Sequence, residues 1–236
     1  LAEAAIAAAP LAPEFVDTRG DVAYFFRDFS SAARHYERAA ELNPSFLNGL
    51  ELWKAADAAR LAGDQPAAAS LLARYIDARK RTGLRNPLLV EAVWAWRSGN
   101  QEEAIRKLQT AADSLDRGRA LFLLALAALH RKDTASAERF WREMDNTTVE
   151  SAFLRSLLQG APLPAGFPFP QEAVTALRHY LRGDMTTARD SYAAARLKFD
   201  LLSEGHWRTL AARIEGREPE GTLPASPDDW LTIVLR

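Results

Sequence analysis

The chain has 236 residues, of which 48% are hydrophobic and 26% are charged, a composition typical of a folded domain and not of a disordered segment. Its 30 Lys and Arg residues are balanced by 31 Asp and Glu residues, which excludes a strong net field toward nucleic acid or an anionic membrane. The absence of cysteine excludes disulfides, thiolate metal sites and cysteine nucleophiles, and it is compatible with a reducing or an oxidising compartment.

The first two segments of the chain end on prolines that are one repeat period apart. "LAEAAIAAAP" ends at Pro10, and "FRDFSSAARHYERAAELNP" ends at Pro44, 34 residues later. A fixed period of this length is the signature of stacked supersecondary units. We therefore expect residues 1–9 to form the second helix of a repeat whose first helix lies upstream, and a complete unit to begin at Pro13.

Further units can be placed in register with the first one, starting at Gly49, Arg85, Gly118 and Phe169. The eighth and twentieth places of the five units are then small, and the twenty-fourth place is large. Small residues let paired helices approach closely, while a large residue fills the gap to the next unit. These columns are, in order, Gly20, Ala56, Ala92, Ala125, Ala176; Ala32, Ala68, Ala104, Ala137, Ala188; and Tyr36, Leu72, Leu108, Trp141, Tyr192.

Glycine marks the turn between the two helices of three units, at Gly63, Gly99 and Gly183. Glycine takes the left-handed conformation that ends a helix, and the Asp or Asn that follows each of these glycines can cap the next helix. The pattern predicts two helices around a tight turn in each unit. The apolar run from Ala120 to Leu129 is about half of the roughly 20 residues that cross a bilayer, so it predicts a buried helix.

The spacing between units lengthens after residue 146. Residues 147–160 predict a first helix ending on Gly160, but "APLPAGFPFP" follows, and its prolines cannot lie inside a helix. We interpret this region as a half repeat whose second helix is replaced by a loop. Two readings of the loop remain open: Leu163, Phe167 and Phe169 cover the edge of the repeat array, or the proline-rich segment docks a partner.

The unit from Pro13 to Phe46 resembles the tetratricopeptide repeat (TPR) family through Gly20, Phe29, Ala32, Tyr36, Ala39 and Pro44. The resemblance implies an all-α fold, an α-solenoid of antiparallel helix pairs in a right-handed superhelix. Two units depart from it with Tyr75 and Met144, where the family usually has Ala. The expected boundaries are 1–12 (the end of a truncated repeat), repeats 13–48, 49–84, 85–117 and 118–146, a half repeat with its loop 147–168, a repeat 169–202, a capping helix 203–216 and a tail 217–236 packing on the solenoid.

The sequence contains no catalytic motif. His35, His130, His179 and His206 are not paired at metal-ligand spacing, and there is no phosphate loop, nucleophile elbow or dinucleotide fingerprint. We therefore expect no catalytic, cofactor or metal site, and a chain that is not an enzyme.

The resemblance implies that the second, fifth, ninth and twelfth places of each unit line a concave groove. This predicts a peptide-binding surface that becomes apolar along the chain, suited to a helix or an extended segment. Either an external partner or the chain's own loop and tail would cover it. The candidate residues are Tyr24, Trp53, Asp57, Arg60, Leu89, Val93, Trp96, Arg119, Phe122 and Leu126.

The expected function is a protein–protein interaction scaffold that binds a protein or peptide segment, without nucleic acid or membrane insertion. Two alternatives belong to other classes: the regulatory or substrate-recruiting region of a larger enzyme, and a structural module that forms homo-oligomers through the solenoid ends.

Overall fold

The computed structural model describes residues 12–114, 116–167, 169–198, 205–217 and 226–227. These residues form α-helices joined by turns and contain no β-strand, so the predicted all-α class is confirmed. The expected helix at residues 1–9 and nearly all of the expected tail lie outside the described residues. The helices are α1 Pro13–Phe25, α2 Phe29–Leu42, α3 Leu50–Leu61, α4 Gln65–Arg81, α5 Leu88–Arg97, α6 Gln101–Ala112, α7 Arg117–His130, α8 Thr134–Arg142, α9 Val149–Gln159, α10 Gln171–Arg182, α11 Met185–Lys198 and α12 Gly205–Ile214.

The chain divides into two compact units, and the described helices α1–α4 belong to the first and α5–α12 to the second. In the first unit each helix packs against the next one along the chain. In the second unit α5 to α8 pack in the same sequential way, and α9 lies against α7, α8 and α10. Adjacent helix pairs of this kind are the architecture of α-solenoid repeats.

Turn chemistry sets the helix boundaries as the sequence predicted. Gly63, Gly99 and Gly183 have left-handed φ values of 87°, 87° and 79°. The carboxylate or amide oxygens of Asp64 and Asn100 accept the backbone N–H three residues later and so cap α4 and α6. Capping of this type satisfies a helix N–H that has no partner within the helix.

Two helix pairs are joined by a left-handed turn that contains no glycine. Arg27 and Lys132 take left-handed φ values of 64° and 61° between α1 and α2 and between α7 and α8. The Asp that follows each of them caps the next helix through Ser31 or Ser136. A side chain in this conformation costs about 1–2 kcal/mol, so these turns form because the packing of the helix pair requires them.

The small residues that recur at the eighth and twentieth places of the predicted units are buried. All ten residues at the eighth and twentieth places are buried, which agrees with close approach of the paired helices. At the first of them, a Cβ on Gly20 would lie 2.5 Å from the Tyr36 ring, so only glycine leaves room for that ring. The apolar run Ala120–Leu129 is buried throughout on α7, as predicted. No helix in the described part of the chain combines the length and apolar character needed to span a bilayer.

The segment interpreted as a half repeat contains α9 followed by a loop. Helix α9 is capped at its C-terminus by Gly160, which has a left-handed conformation. The described residues from there to Pro170 are not helical. The Gln171 side chain connects this loop to the helix, because its Oε1 accepts the Leu163 N–H at 2.7 Å and its Nε2 donates to Ser156 Oγ at 3.2 Å.

Candidate functional site

The predicted groove residues are mostly part of the core and are not on a surface. Tyr24, Trp53 and Asp57 of the first unit are buried, as are Val93, Trp96, Phe122 and Leu126 of the second. Arg60, Leu89 and Arg119 are partly exposed. Seven of the ten candidate side chains therefore offer no free surface to an external partner.

The structure brings three of the candidates together in the first unit. The Tyr24 hydroxyl donates to Asp57 Oδ2 at 2.7 Å, and Arg60 Nη2 donates to Asp57 Oδ1 at 2.7 Å. Asp57 is fully buried, and these hydrogen bonds offset part of the cost of burying its side chain. Trp53, on the same helix, packs against Tyr75 with ring centroids 5.6 Å apart. Tyr75 occupies a position at which the TPR pattern usually has Ala. Its packing against Trp53 explains why a large side chain fits there.

A second set of charges lies beside this group. Lys54 Nζ donates to Asp17 Oδ1 at 2.7 Å and lies 2.8 Å from Asp21 Oδ1. The Tyr36 hydroxyl donates to Asp21 Oδ1 at 2.7 Å, and the ammonium of Lys54 stands 4.6 Å from the centre of the Tyr36 ring. Burial, followed by the charge of Asp21, raises the pKa of Tyr36, so this phenol stays protonated and remains a donor.

Sequence reasoning missed Glu51 and Lys54, although a signal for them exists. Glu51, Lys54, Asp57 and Arg60 follow one another at intervals of three on α3, so consecutive members are neighbours in a row that winds about half-way around the helix. We call these four residues the charged row of α3. A regular row of charges on a helix that is otherwise apolar indicates that another polar surface faces it, and α1 provides that surface.

Glu51 is the exception in the charged row, because it is fully buried and neither carboxylate oxygen has a hydrogen-bond partner among the described residues. Burial raises its pKa to about 7, and the negative charge of Asp17 adds to this effect. The backbone amide of Glu51 and the charge of Lys54 act in the opposite direction. Burial also raises the pKa of Asp17, against the lowering effect of Lys54. Glu51 is thus a buried carboxyl group beside an ionic network, and burial favours its protonated form.

The second unit contains a chain of aromatic contacts. Phe122 on α7 meets Phe153 on α9 edge to face at 6.4 Å, and Phe153 stacks on Phe167 of the loop at 6.1 Å. Phe169 in turn packs edge to face on Trp207 of α12 at 5.3 Å. The loop phenylalanines therefore pack on α9 and α12, which agrees with the reading that they cover the edge of the repeat array.

The remaining candidates in the second unit also have internal partners. Trp96 packs edge to face on His130 at 5.4 Å. Arg119 lies over the Phe122 ring at 5.6 Å and 3.6 Å from Glu150. These contacts join first helices of neighbouring pairs, so the residues stabilise the array.

Two other features of the described residues do lie at the surface. In the first unit Val22, Phe25 and Phe26 are 47%, 43% and 74% exposed at the end of α1, and the two phenylalanine rings meet edge to face at 5.3 Å. We call these three residues the Phe26 patch. None of the three is a predicted groove residue, and the signal for them in the sequence is the adjacent pair of phenylalanines before a turn.

The second surface feature is a pocket of about 260 Å³ in the second unit, at the half repeat. Leu129, Leu157, Leu158 and Leu181 supply its apolar wall, and Lys132, Thr134, Arg178 and Arg182 supply its polar one. We call it the Arg178 pocket. It lies where α9 meets α10 without an intervening second helix.

No model of a known protein family matches the chain, and no curated protein shows significant similarity to it. Within the described ranges, no group of three or more His, Asp or Glu side chains is placed to hold a metal ion.

Proposed function

We propose that the chain is a non-catalytic helical-repeat module of the TPR type that binds a protein or peptide segment. The observation that carries this proposal is the Phe26 patch, since contiguous exposed apolar side chains often mark an interaction site. The proposed contact surface differs from the predicted groove because most groove residues are buried.

The patch has the properties of a binding anchor. Phe25 and Phe26 are at the end of α1, in which Asp17 and Asp21 are bound by Lys54 of α3 and Tyr36 of α2, so the backbone before the patch is supported before binding. A preorganised aromatic pair loses little conformational entropy when a partner covers it. The fitting ligand is a segment that presents apolar side chains, such as one face of an amphipathic helix.

The test is selection of random linear peptides on the immobilised chain, followed by affinity measurement with the Phe26→Ser variant. Loss of a central aromatic anchor should weaken binding by about 30-fold, equivalent to about 2 kcal/mol. Leu61→Ser is the matched control, because Leu61 is also exposed in the first unit but lies at the end of α3. If no peptide is enriched, or if both variants bind equally well, the proposal fails.

Sedimentation velocity separates an external partner from a second copy of the chain. A monomeric wild-type chain is expected. A dimer that becomes monomeric on Phe26→Ser substitution would show that the patch is a self-association surface, and it would contradict the proposal of an external ligand.

A further inference from the structure

We propose that the Arg178 pocket binds a carboxylate attached to a compact apolar group. This inference is independent of the proposed function, since the pocket lies in the second unit and the Phe26 patch in the first. The two sources of such a ligand are a free short-chain carboxylic acid and the C-terminal residue of a peptide.

The polar wall of the pocket is cationic and has no acidic member. Lys132, Arg178 and Arg182 line it, and none of them forms an ion pair with a described carboxylate. Asp133 follows Lys132 in the chain, but it does not line the pocket, and its Oδ1 accepts the Ser136 N–H at the start of α8. Three cations around one cavity without a counter-ion favour an anionic ligand.

The three cations do not have the same structural role. Arg182 Nη2 donates to the Leu158 carbonyl at 2.8 Å and so satisfies the end of α9. Lys132 forms no such contact and is exposed at the α7–α8 turn. A structural role in helix capping therefore accounts for Arg182 and leaves Lys132 and Arg178 available to a ligand.

Arg178 has the hydrogen-bonding groups and the surroundings that best suit a ligand. Its Nε is buried and has no hydrogen-bond acceptor among the described residues. Its Nη2 lies 3.3 Å from His179 Nε2, and a Cβ at Gly160 would overlap its Nη1. Glycine at the end of α9 thus makes the space for this guanidinium, and a planar guanidinium with unused N–H groups matches a carboxylate.

The apolar wall defines the rest of the ligand. Four leucines surround the cavity, so an inorganic anion would fill only its polar side. The volume of about 260 Å³ is below the range of about 300–1,000 Å³ for drug-sized ligands, which favours a short aliphatic group over a long chain. Burial of that group adds binding energy that a bare anion lacks.

The experiment is a titration of the full chain, labelled at its leucine methyl groups, with hexanoate, hexan-1-ol, N-acetyl-leucine, N-acetyl-leucinamide and inorganic phosphate. Hexanoate or N-acetyl-leucine should shift the methyl signals of Leu157 and Leu181 saturably. The uncharged alcohol and amide should bind at least about tenfold more weakly, because they cannot pair with the guanidinium. Whichever acid binds more tightly identifies the source of the ligand.

Variants of the cations complete the test. Arg178→Gln and Lys132→Gln should each weaken binding of the acid by about tenfold. Arg155→Gln is the matched control, because Arg155 is exposed on α9 and does not line the pocket. If Arg178→Gln fails to fold, Lys132→Gln still decides the question, since the Lys132 side chain is exposed and its replacement leaves the core unchanged. Equal binding of acid and alcohol, binding of phosphate as tight as that of hexanoate, or equal losses in the control would overturn the proposal.

Discussion

Replacement of Glu51 by Gln should make the protein more stable at neutral and alkaline pH. Glu51 is fully buried in the charged row of α3, and neither carboxylate oxygen has a hydrogen-bond partner among the described residues. Gln has nearly the same shape but no charge, so the substitution removes the cost of burying an anion while the packing of α3 is kept.

The magnitude follows from the pKa of the carboxyl group. Burial raises this pKa from 4.5 to about 7. Between these values the folded chain holds a proton that the unfolded chain has released, so the free energy of unfolding falls as pH rises. The interval of about 2.5 in pH, at about 1.4 kcal/mol for each pH unit, corresponds to about 3 kcal/mol. The wild type loses this stability between pH 4.5 and pH 7, and Glu51→Gln does not.

The assay is chemical denaturation of the two proteins at pH 4, 5, 6, 7 and 8, followed by circular dichroism. The stability difference should be small at pH 4 and should reach about 3 kcal/mol in favour of Glu51→Gln at pH 8. Glu14→Gln is the control, because Glu14 is exposed in the same unit and should show little dependence on pH. A difference that does not change with pH, or a wild type that is the more stable protein at pH 8, would refute the reasoning.

Four further outcomes test the packing. Ala104→Leu should cost about 1–3 kcal/mol by overpacking, since Ala104 is fully buried, and an unchanged melting temperature would contradict this. Lys54→Ala should cost about 3–5 kcal/mol because it leaves two carboxylates without their cation, whereas the exposed Lys80→Ala should have little effect in the same denaturation assay. Trp53→Ala should lower the free energy of unfolding by about 3–5 kcal/mol. A variant that keeps its full stability but binds peptides differently would show instead that Trp53 belongs to a binding groove. Arg27→Gly should stabilise the chain by about 1 kcal/mol in thermal unfolding, because glycine takes φ 64° without strain; a lower melting temperature would disprove this.

Local sequence was enough to predict the helix pairs. Glycine or a capping Asp or Asn acts within a few residues, so turns such as Gly63–Asp64 and Gly99–Asn100 could be located without any knowledge of tertiary contacts. Proline has the same local effect, which is why the loop after α9 was recognised.

The candidate site was predicted less well, because periodicity assigns a residue to one face of a helix but does not identify what covers that face. Trp53 and Phe122 are predicted groove residues, yet Tyr75 and Phe153 pack on them. Whether such a residue is exposed depends on contacts between segments far apart in sequence.

The sequence by itself determined the all-α class and the turns at Gly63, Gly99 and Gly183, since helix periodicity and turn chemistry act within a few residues. Only the tertiary structure decided the pairing of Lys54 with Asp17 across 37 residues, the isolation of the Glu51 carboxyl group and the space that Gly160 leaves for Arg178. The physical reason is that burial and charge pairing arise where distant segments meet, and their distances are set by the packing of all the helices around them.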